Sequence, residues 1–315
     1  MNPHKLSLTP AGSSSGEGAL VGFRGSIMGV GSDIGGSIRA PSLCCGAFGF
    51  KPTADRIPWA KQQELIPKGW PSIIPTLGPH TQSARDLTLF CKTVLQGKPW
   101  LRDFTALAVP WREVPMKRNL TIGVMLNDPL VPVHPPVARI LAAAVDKLQA
   151  AGHRVSIIAD PPSVAEGAII AARSLALDTE HGVQKFVTAG DEELIPGVSF
   201  DPPPGPDGGK PREVNLAEVW SINADLEDNR EKWASVWRGQ NLDVLICPGA
   251  RGTAPPHGEY GPPFYTVIWN LLDVSICSVS VACFSRPPAV NLRGCGASAA
   301  ASCSFRIQAN NVTIL

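Results

Sequence analysis

The spacing of apolar residues predicts a run of helices and strands through the middle of the chain. Residues 83–95 carry leucine, phenylalanine and valine near helical spacing after a serine cap, which predicts an amphipathic helix. Residues 120–126 predict a strand, residues 135–152 a helix that begins at two prolines and ends at a glycine, and residues 153–158 a second strand. A strand, a helix and a strand in this order form a unit whose two strands lie parallel. The pattern therefore predicts an α/β fold.

Later segments extend this alternation. Further helical patterns lie at about 163–189 and 213–238, and strand patterns at 47–53 and 243–247. Residues 264–284 are apolar enough to imitate a membrane span, but Asp273 at its centre would cost about 2.5–3.5 kcal/mol in a bilayer. We therefore expect a buried helix that continues into a strand. Glycine and proline are concentrated at 196–211 and 248–263, which predicts long loops, and loops around 57–78 and 196–212 are candidates to line a cleft.

Composition excludes several classes of function. The chain of 315 residues is 44% hydrophobic and 17% charged, with a formal net charge of +1, so neither disorder nor binding to nucleic acid is expected. The first residues lack the apolar stretch of a secretory signal, which predicts a cytoplasmic protein that does not enter membranes. The eight cysteines form no C-x-x-C pair, so we expect reduced thiols and no metal site.

Two segments rich in serine and glycine, 11–18 and 31–39, are the candidates for chemistry. Either one alone is typical of a linker or tight turn. The second segment, however, also contains aspartate, isoleucine and arginine and leads into the predicted strand at 47–53, so we expect a folded segment. Other motifs fit less well. The glycines at 29–35 do not have the spacing of a dinucleotide-binding loop, and the glycine-rich segments lack the G-K-[ST] ending of a phosphate-binding loop. The sequence at 12–16 matches G-x-S-x-G, the nucleophile motif of α/β-hydrolases, but it lacks the strand that precedes this motif.

Taken together, residues 12–20, 25–29 and 33–39 resemble the signature of the amidase signature family. Parts of residues 83–158 and 247–273 are similar to its acetamidase-like branch, so the resemblance spans roughly residues 2–275. It implies an α/β amidase signature fold with a mostly parallel, twisted central sheet flanked by helices. We expect residues 1–280 to form a partial domain of this kind. Residues 281–315 have no clear periodicity, and we interpret them as a divergent tail, such as a translated intron or frameshift.

The resemblance also implies a reaction, the hydrolysis of the carbon–nitrogen bond of small linear carboxylic amides, which are not peptides. A Ser–cis-Ser–Lys triad would work through an acyl-enzyme, with no cofactor or metal, and the small amide substrate would be its partner. Ser37 would be the nucleophile, and Ser13, after a cis peptide bond, would relay a proton and contact the substrate. The expected oxyanion hole consists of backbone N–H groups of four consecutive residues, namely Ile34, Gly35, Gly36 and Ser37.

Ser14, Asp33 and Arg39 are expected to support this site. Our hypothesis is that Asp33 and Arg39 brace the loop through hydrogen bonds without touching substrate, and the alternative is two solvated surface charges. Ser15 stands where the family usually has glycine, so a positive φ at this position would strain the loop.

The lysine of the triad is the clearest departure from the family pattern. In the family this lysine lies on a strand well before the first serine segment, whereas Lys5 is the only lysine here that precedes Ser13, and it lacks a rigid strand. We therefore expect a fragment truncated at its N-terminus, with unpaired sheet edges that favour association, including a homo-oligomer. The rival hypothesis is a catalytically dead remnant or pseudoenzyme.

Overall fold

The computed structural model describes residues 1–63, 69–70, 73–115, 117–178, 182–193 and 214–279, and the backbone of 312–314. The loop predicted at 196–211 lies outside the described residues, and so does nearly all of the tail predicted from residue 281. The strands are β1 (Met28–Asp33), β2 (Phe48–Lys51), β3 (Thr76–Thr81), β4 (Thr121–Val124), β5 (Arg154–Ile157), β6 (Val244–Ile246), β7 (Ser275–Val279) and β8 (Val312–Ile314). The helices are α1 (Ser15–Gly22), α2 (Arg39–Cys45), α3 (Ala84–Gln96), α4 (Pro135–Ala150), α5 (Val164–Leu175), α6 (Gly182–Ala189), α7 (Leu216–Gly239) and α8 (Phe264–Leu271), with a short 3-10 helix at Pro99–Leu101.

A three-stranded parallel sheet in the order β5-β4-β6 confirms the predicted unit of strand, helix and strand. Thr121 lies opposite Arg154, and α4 makes the crossover between the two strands. Ile122, Val124 and Leu141 are buried together, so the apolar face of α4 covers the sheet. The α/β fold class and a parallel sheet flanked by helices are thus confirmed.

The second sheet has five strands in the order β1-β3-β2-β7-β8. The pairs β1–β3, β2–β3 and β2–β7 are antiparallel, and β7–β8 is parallel, so this sheet is mixed rather than mostly parallel. The strand order explains the difference. β3 runs back between β1 and β2 and pairs with both, an arrangement that differs from the helical crossover of the other sheet.

Most predicted elements appear close to their expected positions. The side chain of Ser83 caps α3 by accepting a hydrogen bond from the Asp86 amide at 3.2 Å. The helical pattern predicted at 163–189 is divided between α5 and α6. As expected for 264–284, α8 is buried and runs directly into β7. Within the described residues, no helix is both long enough and apolar enough to cross a membrane.

Helix α1 was not predicted, because its sequence contains three glycines and a serine, which are poor helix formers. Packing accounts for it. A Cβ on Gly18 would stand 2.6 Å from the Cβ of Pro41, so only glycine lets α1 approach α2 this closely. Because Ser15 is the first residue of the helix, it has no positive φ; Ala11 takes that conformation instead, at φ 61°.

Helix α8 lies at the centre of the main apolar cluster. Ile268, Trp269 and Leu271 are at most 1% exposed, and the Trp269 ring meets Trp233 of α7 edge to face at 5.1 Å. Gly167 of α5 leaves room for Ile268, since a Cβ there would collide with this side chain. The cluster therefore holds α8 in place, and the polar residues of α8 face the second serine segment.

Candidate active site

The two serine segments lie side by side. The amide of Ser14 donates a hydrogen bond to the carbonyl oxygen of Ser37 at 3.2 Å, so the first segment rests directly on the expected nucleophile. The peptide bond between Gly12 and Ser13 is cis. Ser13 is exposed and Ser37 is half-buried, so both hydroxyls lie near the surface of the described residues.

Asp33, at the end of β1, organises the loop that carries Ser37. Its carboxylate accepts hydrogen bonds from the amides of Gly36 at 2.8 Å and Ile38 at 3.1 Å. It also accepts from Arg39 Nε at 2.9 Å and Nη2 at 2.8 Å. Burial acts to raise the pKa of Asp33, but the Arg39 guanidinium, with smaller contributions from Asn270 and Lys51, lowers the pKa to about 2. Both side chains are 0% exposed, so the alternative of two solvated surface charges is wrong.

Helix α8 completes this network from more than two hundred residues away. Arg39 Nη1 donates to the Thr266 carbonyl at 2.8 Å, and Nη2 donates to Asn270 Oδ1 at 2.5 Å. Asn270 Nδ2 in turn donates to Asp33 Oδ1 at 2.9 Å. Thr266 and Asn270 had no role predicted from the sequence. Their spacing of four residues within an otherwise apolar helix is the signal that could have found them.

Three of the four expected oxyanion donors are free of protein acceptors. Among the described residues, the amides of Ile34, Gly35 and Ser37 have no hydrogen-bond acceptor, whereas the Gly36 amide donates to Asp33. Gly36 has φ 133°, and a Cβ there would collide with Thr266. The Thr266 hydroxyl also donates to the Gly35 carbonyl at 2.7 Å, which turns this carbonyl towards α8. The loop therefore needs glycine at position 36.

No described lysine forms a hydrogen bond with Ser13 or Ser37. Lys51 is 1% exposed, but its Nζ donates to the Pro52 carbonyl at 3.0 Å and lies 3.9 Å from Asp273 Oδ1. Burial, together with the charge of Arg39, lowers the pKa of Lys51 to about 8. Lys51 is thus a buried cation, and its described partners do not include either serine.

A cavity of about 200 Å³ opens beside the first turn of α8. Tyr260, Pro263, Phe264 and Thr266 contribute to its walls, together with the loop at 249–253. Thr266 also contacts the carbonyl of Gly35, so the cavity and the loop before Ser37 share a wall. Within the described residues, no cluster of three or more histidine, cysteine, aspartate or glutamate side chains has an arrangement that could hold a metal ion.

Comparisons with known proteins agree with this arrangement. The family model described as Amidase matches residues 1–295. An amidase of Gibberella moniliformis is 52% identical over 274 residues, which cover 87% of this chain and 51% of that protein. An acetamidase of Emericella nidulans is 32% identical, with 89% of this chain and 53% of that protein covered. A solved fatty acid amide hydrolase superposes with a TM-score of 0.80 at 33% identity, covering 88% of this chain and 48% of that one.

The chain therefore spans about half the length of the curated relatives it matches. The family match covers almost the whole chain, and it includes both serine segments, the Asp33–Arg39 pair and α8. On this evidence the chain belongs to the amidase signature family.

Proposed function

We propose that this chain carries the acyl-transfer site of an amide hydrolase, with Ser37 as the nucleophile. The observation that carries the proposal is the loop at 34–37. Its conformation is fixed by the buried pair of Asp33 and Arg39, and it leaves three amides without an acceptor in the described part of the chain, beside a half-buried serine. Unpaired N–H groups that point at a developing negative charge stabilise the tetrahedral intermediate of acyl transfer. In this proposal the donors are Ile34, Gly35 and Ser37.

In the proposed reaction, Ser37 Oγ attacks the carbonyl carbon of the amide and loses its proton towards Ser13. The carbonyl oxygen becomes an oxyanion, which the loop amides stabilise. When the carbon–nitrogen bond breaks, the nitrogen takes the relayed proton and leaves as ammonia or an amine. Water then attacks the carbonyl carbon of the ester on Ser37. As the carbon–oxygen bond to Ser37 breaks, one proton of the water passes to Ser37 Oγ, and the carboxylic acid leaves with the water oxygen.

A base is needed to accept the proton from Ser13. The family resemblance assigns this role to a neutral lysine, and the described lysines of this chain do not contact either serine. Loss of one member of such a triad slows turnover by roughly 10⁴–10⁶. An activated substrate, which depends less on the base, is therefore the appropriate probe of the acylation step.

The proposed substrate class is small linear carboxylic amides. The cavity beside Thr266 holds about 200 Å³, below the roughly 300–1,000 Å³ typical of pockets for drug-sized ligands. The relative named acetamidase is consistent with a short acyl group, whereas the neighbour named fatty acid amide hydrolase is consistent with a long one. The volume favours the short acyl group.

The test is acylation by p-nitrophenyl acetate, followed by mass spectrometry of the intact chain and of its peptides. We expect one acetyl group on Ser37, with none there in Ser37→Ala and slower acylation in Ser13→Ala. The matched control is Ser26→Ala, which removes a hydroxyl that bonds the Met28 carbonyl outside the loop. Acetylation at Lys5 or another exposed amine, with Ser37 unmodified in a folded chain, would contradict the proposal. A series of longer acyl esters tests the size limit.

A further inference from the structure

His80 is a buried histidine that lies behind the serine segments without a role in the proposed reaction. It is 0% exposed and lies on β3, opposite Gly29 of β1 and Gly49 of β2. Its Nδ1 lies 2.9 Å from the hydroxyl oxygen of Ser42, whereas its Nε2 has no hydrogen-bond partner among the residues that the structure describes. An orphaned nitrogen in a fully buried side chain is unfavourable, so it needs an explanation.

The hydrogen bonds of Ser42 bear on the protonation of the ring. The Ser42 hydroxyl has one hydrogen and is placed to donate it to the Ile38 carbonyl at 3.0 Å. In this arrangement, which our inference adopts, Ser42 accepts from His80 and the ring proton lies on Nδ1. Burial lowers the pKa of His80 to about 4, so the ring is neutral near pH 7. Nε2 then carries a lone pair and can only accept a hydrogen bond.

The candidate donor is the hydroxyl of Ser14. A Cβ on Gly31 would stand 2.5 Å from Ser14 Oγ and 2.7 Å from His80 Nε2, so both atoms border the same small space above this glycine. At present Ser14 Oγ donates to the Ser32 carbonyl over 3.3 Å, which is a long O–H···O contact. Our inference is that the Ser14 side chain turns in this space and directs its proton to Nε2 instead.

We propose that His80 is a positioning residue that accepts a hydrogen bond from the Ser14 hydroxyl. The hydrogen bonds then form a continuous chain from Ser14 through His80 and Ser42 to the Ile38 carbonyl. Both of its ends contact the backbone at the nucleophile, because the Ser14 amide bonds the Ser37 carbonyl and Ser42 bonds the carbonyl of the next residue, Ile38. This series of hydrogen bonds thereby holds the backbone of Ser37 in place. The catalytic part of this inference rests on the proposed function, but the hydrogen bond itself does not.

Nitrogen-15 NMR of the histidine-labelled chain tests the hydrogen bond directly. Loss of a signal in a His80 variant assigns His80 among the six histidines. We expect a neutral ring with its proton on Nδ1, and an Nε2 signal displaced towards that of a hydrogen-bonded acceptor. In Ser14→Ala this signal should move to the position of a free acceptor, and in Ser26→Ala it should stay. A proton on Nε2, or no response to Ser14→Ala, would overturn the inference.

Two variants separate positioning from simple packing. In His80→Gln the side-chain oxygen can reach the place of Nε2 and accept from Ser14. In His80→Asn the amide nitrogen can replace Nδ1 and donate to Ser42, but nothing reaches Ser14. We expect His80→Asn to react with an acylating probe at Ser37 about five- to tenfold more slowly, as for loss of one hydrogen bond, and His80→Gln to retain most of the rate. Equal loss in both variants would contradict the role.

The acylation experiment and the NMR experiment distinguish failure of the proposed function from failure of the role of His80. If Ser37 is not acylated even in the unmodified chain, the proposed function fails, and the NMR response of His80 to Ser14→Ala still decides the hydrogen bond. If Ser37 is acylated but His80 does not respond, only the positioning role is overturned.

Discussion

Replacing Asp33 by asparagine is the most informative single perturbation of the loop. The change is nearly isosteric, but it removes the negative charge that neutralises Arg39 in a fully buried site. It also replaces one carboxylate oxygen by an amide that would face the N–H groups of Gly36, Ile38 or Arg39, all of which are donors. Asp33→Asn therefore leaves a buried cation without its counter-charge and introduces a donor opposite donors.

The magnitude follows from this geometry. Removing one partner of a buried ion pair typically lowers the free energy of unfolding by about 3–5 kcal/mol. Since domains are stable by only about 5–15 kcal/mol, the variant should lose a large fraction of its stability. The exposed pair of Glu231 and Arg238 is the control, because both side chains are more than 60% exposed. Glu231→Gln should change the free energy of unfolding by less than about 1 kcal/mol.

Urea denaturation followed by tryptophan fluorescence measures both variants. We expect a much lower midpoint for Asp33→Asn and an unchanged one for Glu231→Gln. Arg39→Lys should also be destabilised, because lysine cannot reproduce the paired contacts with Asp33 or the contact with Asn270. If Asp33→Asn or Arg39→Lys keeps full stability, the reasoning that this pair braces the loop is refuted.

Further predictions concern the loop and the buried ionisable groups. Gly36→Ala should lower the free energy of unfolding by about 1–3 kcal/mol, because φ is 133° and Thr266 blocks the Cβ; an unchanged denaturation midpoint would contradict this. The pKa of His80 falls from 6.5 to about 4 on folding, so folding stability should decrease by about 3 kcal/mol as the pH falls between these values, and His80→Gln should flatten this part of a pH series of urea titrations. The pKa of Lys51 falls from 10.5 to about 8, so stability should rise with pH across that interval, and Lys51→Met should abolish the rise.

Local patterns were enough to predict much of the fold. The apolar spacing in α3 and α4, and the order of β4, α4 and β5, depend on contacts close in sequence, which is why their periodicity was readable. The serine segments were found by resemblance, and aspartate and arginine flanking Ser37 suggested the brace that the structure contains.

Other features depend on contacts between distant segments and could not be read locally. α1 forms from a glycine-rich sequence, in which Gly18 allows close packing against Pro41 of α2. Asn270 completes the Asp33 network across 237 positions, and a single sequence gives no sign of such a pairing. The antiparallel β3 was missed for a similar reason, since its short segment contains glycine, proline and histidine and lacks a clear alternation.

Labelling of the folded chain with a fluorophosphonate probe, followed by peptide mapping, tests the central proposal most directly. Such probes react with a serine whose hydroxyl is activated and lies beside an oxyanion hole. We predict a single label on Ser37, which is lost in Ser37→Ala and forms more slowly in Ser13→Ala. A folded chain that takes up the label on another residue, with Ser37 unmodified, would contradict the assignment of Ser37 as the nucleophile.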